Sequence, residues 1–426
     1  MTTERLSVLL AGRVIGELTK AAGRKLSFQY DEAWRHAAEA FPLSLSMPLA
    51  ASKHDHRSTT AYLWGLLPEN PVVLDRWARQ FQVSSADPFA LLAYVGEDCP
   101  GAVQFVQPQR AARWLEPSKN EIVWLTEPDI GERIRLLQQD HAAWRAPNDT
   151  GQFSLAGAQP KTALLFDGRR YGVPAGRTPT THILKPALPE LDGHAENEHL
   201  CLALARALGL PSAESSVRRF DGEVAIVVER YDRVRAGAHW MRIHQEDTCQ
   251  ALGVMPQSKY QSEGGPSAKH IVGLLRTYST HAREDVQTFV DALIFNWLIG
   301  GTDAHAKNYS ILLGTGGQVR LAPIYDVASA YAYRRFDPNK LKLAMKIGGT
   351  YRIRDIDRRR WNVFAREVHV DADVLVSRAK AMAAAIPTEF EKLRSEAARQ
   401  GLKHPAIARL HKALEQQVAR CATRLD

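Results

Sequence analysis

The run from 286 to 299, VQTFVDALIFNWLI, constrains this chain more than any other stretch. It is apolar almost all round, and a helix of that kind is buried on every side. Gln287, Asp291 and Asn296 interrupt it, and it is too short to cross a membrane. Gly300 and Gly301 end it, because glycine readily takes the left-handed conformation that closes helices. The residues that follow are therefore mounted on the core. They read TDAHAKNY and place Asp303 before Asn308, with His305 and Lys307 between. YSILL then alternates into a strand, GTGG turns, VRLAPI returns, and Asp326 follows directly.

This order of groups has a chemical meaning. In phosphoryl transfer of the kinase type, one Asp positions the acceptor hydroxyl and takes its proton. An Asn and a second Asp then hold the magnesium ions that neutralise the phosphates. Alone, an Asp and an Asn five residues apart carry little specificity. The core helix before them and the hairpin after them supply it.

A chain of 426 residues builds two or three domains, and 45% hydrophobic content is ordinary for a globular protein. No apolar N-terminal run suggests a signal peptide, no segment is long enough to span a membrane, and the expected location is cytoplasmic. Cys99, Cys201, Cys249 and Cys421 are scattered without a CxxC pair, which reads as buried free thiols. The formal charge of +8 is concentrated between Arg334 and Arg360. Ten Lys/Arg stand there against Asp337, Asp355 and Asp357. Such a patch meets phosphates, nucleic acid or an acidic partner. The competing reading is a solvated, charge-rich loop.

Three regions precede the catalytic stretch. In the first, SVLLAGRVIGEL reads as a hairpin, KLSFQY as a strand, and PLSLSMPL as an edge strand with Leu43, Leu45, Met47 and Leu49 on one face. Asp87-Pro88 opens a helix and GAVQFV closes the unit. The second, from 107 to 150, is more polar and reads as a connector containing one capped helix, TEPDIGERIRLLQQ. RAPNDTGQ at its end reads as an exposed turn. The third begins with QFSL and TALLF, read as strands around the small-residue loop AGAQP, whose N–H groups can approach phosphates. THILKP is a strand with Lys185 near its end, and ENEHLCLALARALGL is a helix with Glu196 and Glu198 in its first turns. A strand lysine before an acidic helix start is the kinase arrangement. It is equally an ordinary surface lysine and dipole-favoured acids. EVAIVVERYDR ends a further hairpin at Glu229-Arg230-Tyr231. His194 and His199 are five apart and point to different helix faces, which reads as solvated histidines and not as a metal pair.

Taken in order, SLAGAQPKTALL, THILKP, ENEHLCLALARALGL, VVERYDR, HQEDTCQALGV, FNWLIGGTDAHAKNYSILL and LAPIYDVASAY resemble the HipA family, serine/threonine kinase toxins of HipBA toxin–antitoxin modules. SFQYDEAW, PLSLSMPL and DCPGAVQ resemble the small domain that precedes the kinase core in that family. The resemblance implies an α+β, protein-kinase-like two-lobed fold. Residues 1–106 would be an N-terminal mixed α/β accessory domain and 107–150 a connecting segment. Residues 151–235 would form a nucleotide-binding small-lobe part, and 236–426 a helical large lobe with the catalytic loop. It implies ATP and Mg2+ as cofactors, with Asp303 as catalytic aspartate and Asn308 and Asp326 as metal ligands. Lys185 would bind the nucleotide, and Glu229 and Tyr231 would fall in the adenine hinge. Ala156, Gly157, Ala158, Gln159 and Lys161 would belong to the loop folding over the phosphates. His305 and Lys307 would lie near the γ-phosphate, and Ser154 would be the autophosphorylation site. The implied partners are a HipB-like helix-turn-helix antitoxin, operator DNA through the toxin–antitoxin complex, and a translation component, typically an aminoacyl-tRNA synthetase, as substrate. Unlike ordinary protein kinases, the chain has Gly-Thr before Asp303 and Val-Ala after Asp326, which disfavours activation-loop regulation of the usual sort. A small-molecule phosphotransferase of kinase-like fold, and a catalytically silent DNA-binding repressor component, are the competing readings.

Overall fold

The computed structural model describes residues 3–115, 122–145, 149, 153–188, 190–237 and 239–426. The first unit is a five-stranded antiparallel sheet. Its central hairpin joins Glu4–Leu10 to Arg13–Lys20 through Ala11 and Gly12. Both turn residues have positive φ, 48° and 80°, as a tight hairpin turn on twisted strands requires. Val103–Val106 returns to pair with the first strand, as expected. Helices His56–Gly65, Pro71–Phe81 and Pro88–Val95 belong to the same unit, the last capped by Asp87, which accepts from the Ala90 N–H.

PLSLSMPL is not a strand. Leu43, Leu45 and Met47 are buried as the alternation predicts, but only an isolated bridge between Ser44 and Met47 forms. The backbone is satisfied elsewhere: Leu45 N–H donates to Glu246, and Leu43 O meets His244 Nε2 at 2.8 Å. QFSL forms no strand either over its described residues 153–155; Ser154 N–H donates instead to Asp98 O.

The small lobe is a six-stranded antiparallel sheet in the spatial order Ser215–Phe220, Glu223–Glu229, His182–Pro186, Thr162–Phe166, Tyr171–Pro174, Ile122–Trp124. Residues 107–150, expected as a connector, thus supply an edge strand. They also supply helix Glu127–Gln139, which packs on the sheet with Ile130 and Ile134 against Leu184, Ala225 and Val227. RAPNDTGQ lies mostly outside the described residues. Strand side chains alternate between faces. Ile226 and Val228 accordingly pack on the opposite side, with Ala195 of helix His194–Ala207.

The large lobe is built around helix Ala282–Ile299, whose last eleven residues are all buried. Each large apolar side chain in it contributes about 1.5–3 kcal/mol by leaving water. Its two buried polar interruptions are satisfied: Asp291 pairs with Arg378, and Asn296 Nδ2 donates to Ala292 O. Gly300 closes the helix at φ 68°, and a Cβ there would lie 2.4 Å from the Tyr331 ring. Helices Arg358–Glu367, Ala372–Arg399 and Pro405–Leu425 complete the lobe. The basic stretch is not a loop. It carries hairpin Lys342–Ile347/Thr350–Arg352, in which buried Leu343, Ala344, Met345 and Ile347 anchor outward-facing Lys342 and Lys346. All but Arg360 of its cations are exposed, and Arg360 donates to Gly348 O at 2.8 Å. All four cysteines are buried and free. No helix among the described residues is long and apolar enough to cross a membrane.

Candidate active site

A cavity of about 600 Å3 opens between the two lobes. Lys185 enters it from the strand His182–Pro186. Leu184 faces the helix Glu127–Gln139, so its neighbour Lys185 faces the other way, towards helix His194–Ala207. There its ammonium donates to Glu198 Oε1 at 2.7 Å and to Asp326 Oδ1 at 2.6 Å. Burial works against the charged lysine, but Asp326 and Glu198 outweigh it and raise its pKa above the ordinary value. Burial likewise works against the Asp326 carboxylate, and Lys185 with Lys161 holds it well below its usual range. Asp326 adopts φ 58°, a left-handed conformation uncommon outside glycine, Asn and Asp.

The small-residue loop lies over the same cavity, which Ala156, Gly157, Ala158, Gln159 and Lys161 line. Lys161 is buried without a carboxylate at its tip. It donates to Ala156 O at 2.7 Å and lies 5.2 Å from the centroid of the Trp144 ring. Burial, and then Lys185, pushes its pKa down to about 8. Gly157 has φ 101°, and a Cβ there would come within 2.6 Å of the Lys161 ammonium. Gln159 Nε2 is buried without a partner, which leaves a donor for a ligand in the cavity. Ser154 is fully buried, and its hydroxyl donates to Leu66 O at 2.7 Å. The serine expected at a flexible loop is here a locked strut.

On the opposite wall, Asp303 leaves the end of the core helix with its carboxylate 66% exposed. Its backbone carbonyl accepts from Asn308 Nδ2 at 2.7 Å and from His305 N–H at 2.9 Å, which closes the loop on itself. Tyr260 Oη donates to its Oδ1 at 2.7 Å. His305 is buried, and burial holds its imidazole below the ordinary pKa against the pull of Asp303. Lys307 lines the cavity, but its ammonium is engaged with Asp247 at 2.5 Å and leans on Gly65 O at 3.4 Å. The ammonium, expected near the γ-phosphate, is thus committed to Asp247 and braces the 303–308 loop.

Glu229 and Tyr231 line the far end of the cavity. Tyr231 Oη bonds Gln245, and its ring lies 5.8 Å from that of Tyr325. Behind them is a buried ion network that sequence reasoning missed. Asp98 accepts from Arg233 at 2.9 Å, Arg242 at 3.1 Å and Thr180 Oγ1 at 2.7 Å, while Arg230 and Arg233 also grip Asp232. The only signal available was the charge pattern Arg230, Asp232, Arg233 directly after a buried strand. Tyr260, Lys259, Glu69 and Asp247 were missed as well.

His194 and His199, expected as solvated, are not. His194 is buried beside Glu198, and His199 Nδ1 meets Ser215 Oγ at 3.0 Å. No cluster of three or more His, Cys, Asp or Glu suited to a metal exists among the described residues. The donor set does fit a magnesium ion held jointly with phosphates and water. With Asn308 Nδ2 committed to Asp303 O, its amide oxygen is the atom left for a cation. Lys185 holds one Asp326 oxygen and leaves the other.

A family model described as the HipA-like C-terminal domain matches residues 153–390, and one described as the HipA N-terminal domain matches residues 6–106. The chain is 39% identical over 375 residues to a putative kinase, Y4mE, of Sinorhizobium fredii, covering 87% of each chain. It is 30% identical over 403 residues to the serine/threonine-protein kinase toxin HipA of Shewanella oneidensis, covering 90% of this chain and 88% of the other. A solved chain from the Shewanella oneidensis complex of HipA, HipB and operator DNA aligns with TM-score 0.84 and 25% identity, over 99% of this chain and 98% of that one.

Proposed function

The chain belongs to the HipA family of serine/threonine-protein kinase toxins, and we propose that its interlobe cleft transfers the γ-phosphate of ATP to a protein hydroxyl. The observation that carries this is Lys185, bonded at once to Glu198 and Asp326 across the cavity that Asp303 and Asn308 face. Glu198 fixes the lysine so that its charge meets the α- and β-phosphates. Asn308 and Asp326 would hold Mg2+, which when bound would neutralise phosphate charge. Asp303 takes the acceptor proton as the acceptor oxygen bonds phosphorus. The loop 156–161 offers N–H groups, the buried Gln159 amide and Lys161 to the phosphates, and the hinge at Glu229 and Tyr231 receives the base.

Further proposals follow from the family. The substrate is a translation component, an aminoacyl-tRNA synthetase. The chain acts with a HipB-like antitoxin as corepressor on operator DNA, with the exposed cations between Arg334 and Arg359 facing phosphates. Autophosphorylation falls on Ser154. Because that hydroxyl is buried against Leu66 O, the loop must first swing out. A phosphate there, with nearly two negative charges, then keeps it out.

Phosphoproteomics after brief induction, comparing wild type with Asp303→Asn, tests the reading. New protein phosphoserine or phosphothreonine in the wild type alone supports it. Identical phosphoproteomes remove it. Phosphate on Ser154 in both forms, or in neither, removes the autocatalytic part only.

A further inference from the structure

The following rests on reading Asp303 as the proton acceptor. An exposed carboxylate rotates freely unless something holds it, and a general base must present one oxygen steadily to the acceptor. Among the described residues a single side chain is hydrogen-bonded to this carboxylate: Tyr260, from Oη to Oδ1 at 2.7 Å, with His305 Nε2 at 3.9 Å from the same oxygen.

The phenol is itself clamped on several sides. Its ring meets His305 edge-on at 4.9 Å and 85°. The neighbouring Lys259 lies 5.4 Å from the ring centroid and bonds Glu69 of the N-terminal unit at 2.5 Å. Tyr260 O accepts from Glu263 and Gly265 N–H, both at 3.0 Å. A Cβ on Gly265 would lie 2.0 Å from Ser258 O, so only glycine lets the turn close this tightly. Gln261 Oε1 accepts from Lys346 N–H at 2.8 Å, which ties the turn to the basic hairpin. Burial, and then Asp303 beside it, raises the phenol pKa above its ordinary value, so Tyr260 stays a donor across the working pH range.

We propose that Tyr260 is a positioning residue for phosphoryl transfer: by fixing Oδ1 of Asp303 it leaves Oδ2 as the oxygen that faces the acceptor hydroxyl. A carboxylate accepts on both oxygens, so the tyrosine and the acceptor are served together. As the acceptor oxygen bonds the γ-phosphorus, its proton passes to Oδ2. The bond to the β-phosphate oxygen breaks, and ADP leaves with that electron pair. The Glu69–Lys259 pair extends this clamp into the N-terminal unit, so that unit helps to set the angle of the base.

The test is steady-state kinetics of the full-length chain with γ-labelled ATP and Mg2+, counting labelled protein plus released phosphate. Tyr260→Phe keeps the ring and its His305 contact but removes the donor. The expected result is kcat lowered about tenfold, the scale of one hydrogen bond to a charged group, with KM for ATP and the melting temperature unchanged. Lys259→Met, which loosens the anchor, should lower kcat less. An unchanged or faster Tyr260→Phe overturns the proposal, the faster case meaning that the hydroxyl competes with the acceptor. A fall in kcat accompanied by weaker ATP binding and a lower melting temperature overturns it too, since that is a structural role. Asp303→Asn is run beside it. Should that variant, or a wild type without turnover, show the base reading to be wrong, the inference goes with it. Should Asp303→Asn be dead and Tyr260→Phe normal, only the tyrosine's role is lost.

Discussion

Asp98 and Asp303 are the same side chain in two opposite regions. Asp98, behind Glu229 and Tyr231, is 6% exposed and gripped by three arginines and Thr180. Asp303, which lines the cleft, is 66% exposed and, among the described residues, hydrogen-bonded by one side chain, the Tyr260 phenol. Burial opposes the Asp98 charge, but Arg233, Arg230 and Arg242 outweigh it and hold its pKa far below the usual range. A carboxylate satisfied on every side has no oxygen left for chemistry and fixes structure. One with a free oxygen is weakly restrained and can accept a proton. Asp326 stands between them, with one oxygen on Lys185. Glu246 is a fourth case: buried, with Ser44 and Leu45 as partners and no cation, its carboxyl is pushed up to about 8 by burial.

The contrast can be broken at each point. Asp98→Asn should cost the most stability, about 3–5 kcal/mol, because it strands buried arginines. Urea unfolding measures this, and a loss below 1 kcal/mol would make the network ornamental. The same depressed pKa means that its contribution is present above about pH 4 and is lost on acidification below it. Asp303→Asn should do the reverse, lowering phosphoryl transfer on the order of a hundredfold or more while the unfolding midpoint and ATP affinity stay put. Asp326→Ala should weaken Mg2+-dependent ATP binding on the order of tenfold, and metal-free binding less. Calorimetry with and without Mg2+ decides, and equal losses would deny it a metal role. Glu246→Gln should have the smallest effect, visible only in the pH profile. The native state binds the extra proton between the ordinary carboxylate pKa of 4.5 and about 8, so wild-type stability falls as pH rises through that window. The glutamine should remove that slope, which urea unfolding repeated across the window measures. A slope that survives would place the proton elsewhere.

What could be read in advance follows from how local each signal is. The core helix, its glycine stop and the mounting of Asp303 are written within twenty consecutive residues, and the fold honours them. Lys185 was legible only as a strand lysine before an acidic helix, with a surface lysine as the alternative, because its burial rests on Asp326, 141 positions away. Tyr260 was not: it meets Asp303 across a separation of 43 positions, and nothing periodic marks a turn residue. Arg233 and Asp98 are 135 apart. PLSLSMPL misled because alternation reports which side chains are buried and not where the backbone finds its partners. Leu43, Leu45 and Met47 are inside, yet Glu246 and His244 take the main-chain bonds that a neighbouring strand would have taken.

Several contacts from the N-terminal unit to the machinery are made by peptide oxygens. Leu43 O meets His244, Tyr62 O accepts from Gln250, Gly65 O from Lys307, and Leu66 O from Ser154. Alanine scanning across 62–66 reports the loss of the buried Tyr62, Leu63 and Leu66 side chains and not these main-chain bonds, while at Gly65 a methyl would come within 2.4 Å of the Gln250 side chain. A one-residue insertion in the same segment would displace several of them at once. These bonds therefore depend on the main-chain path of 62–66 and not on side-chain identity there, and that share of the segment's part in the enzyme would be invisible to a survey that reads importance from side chains.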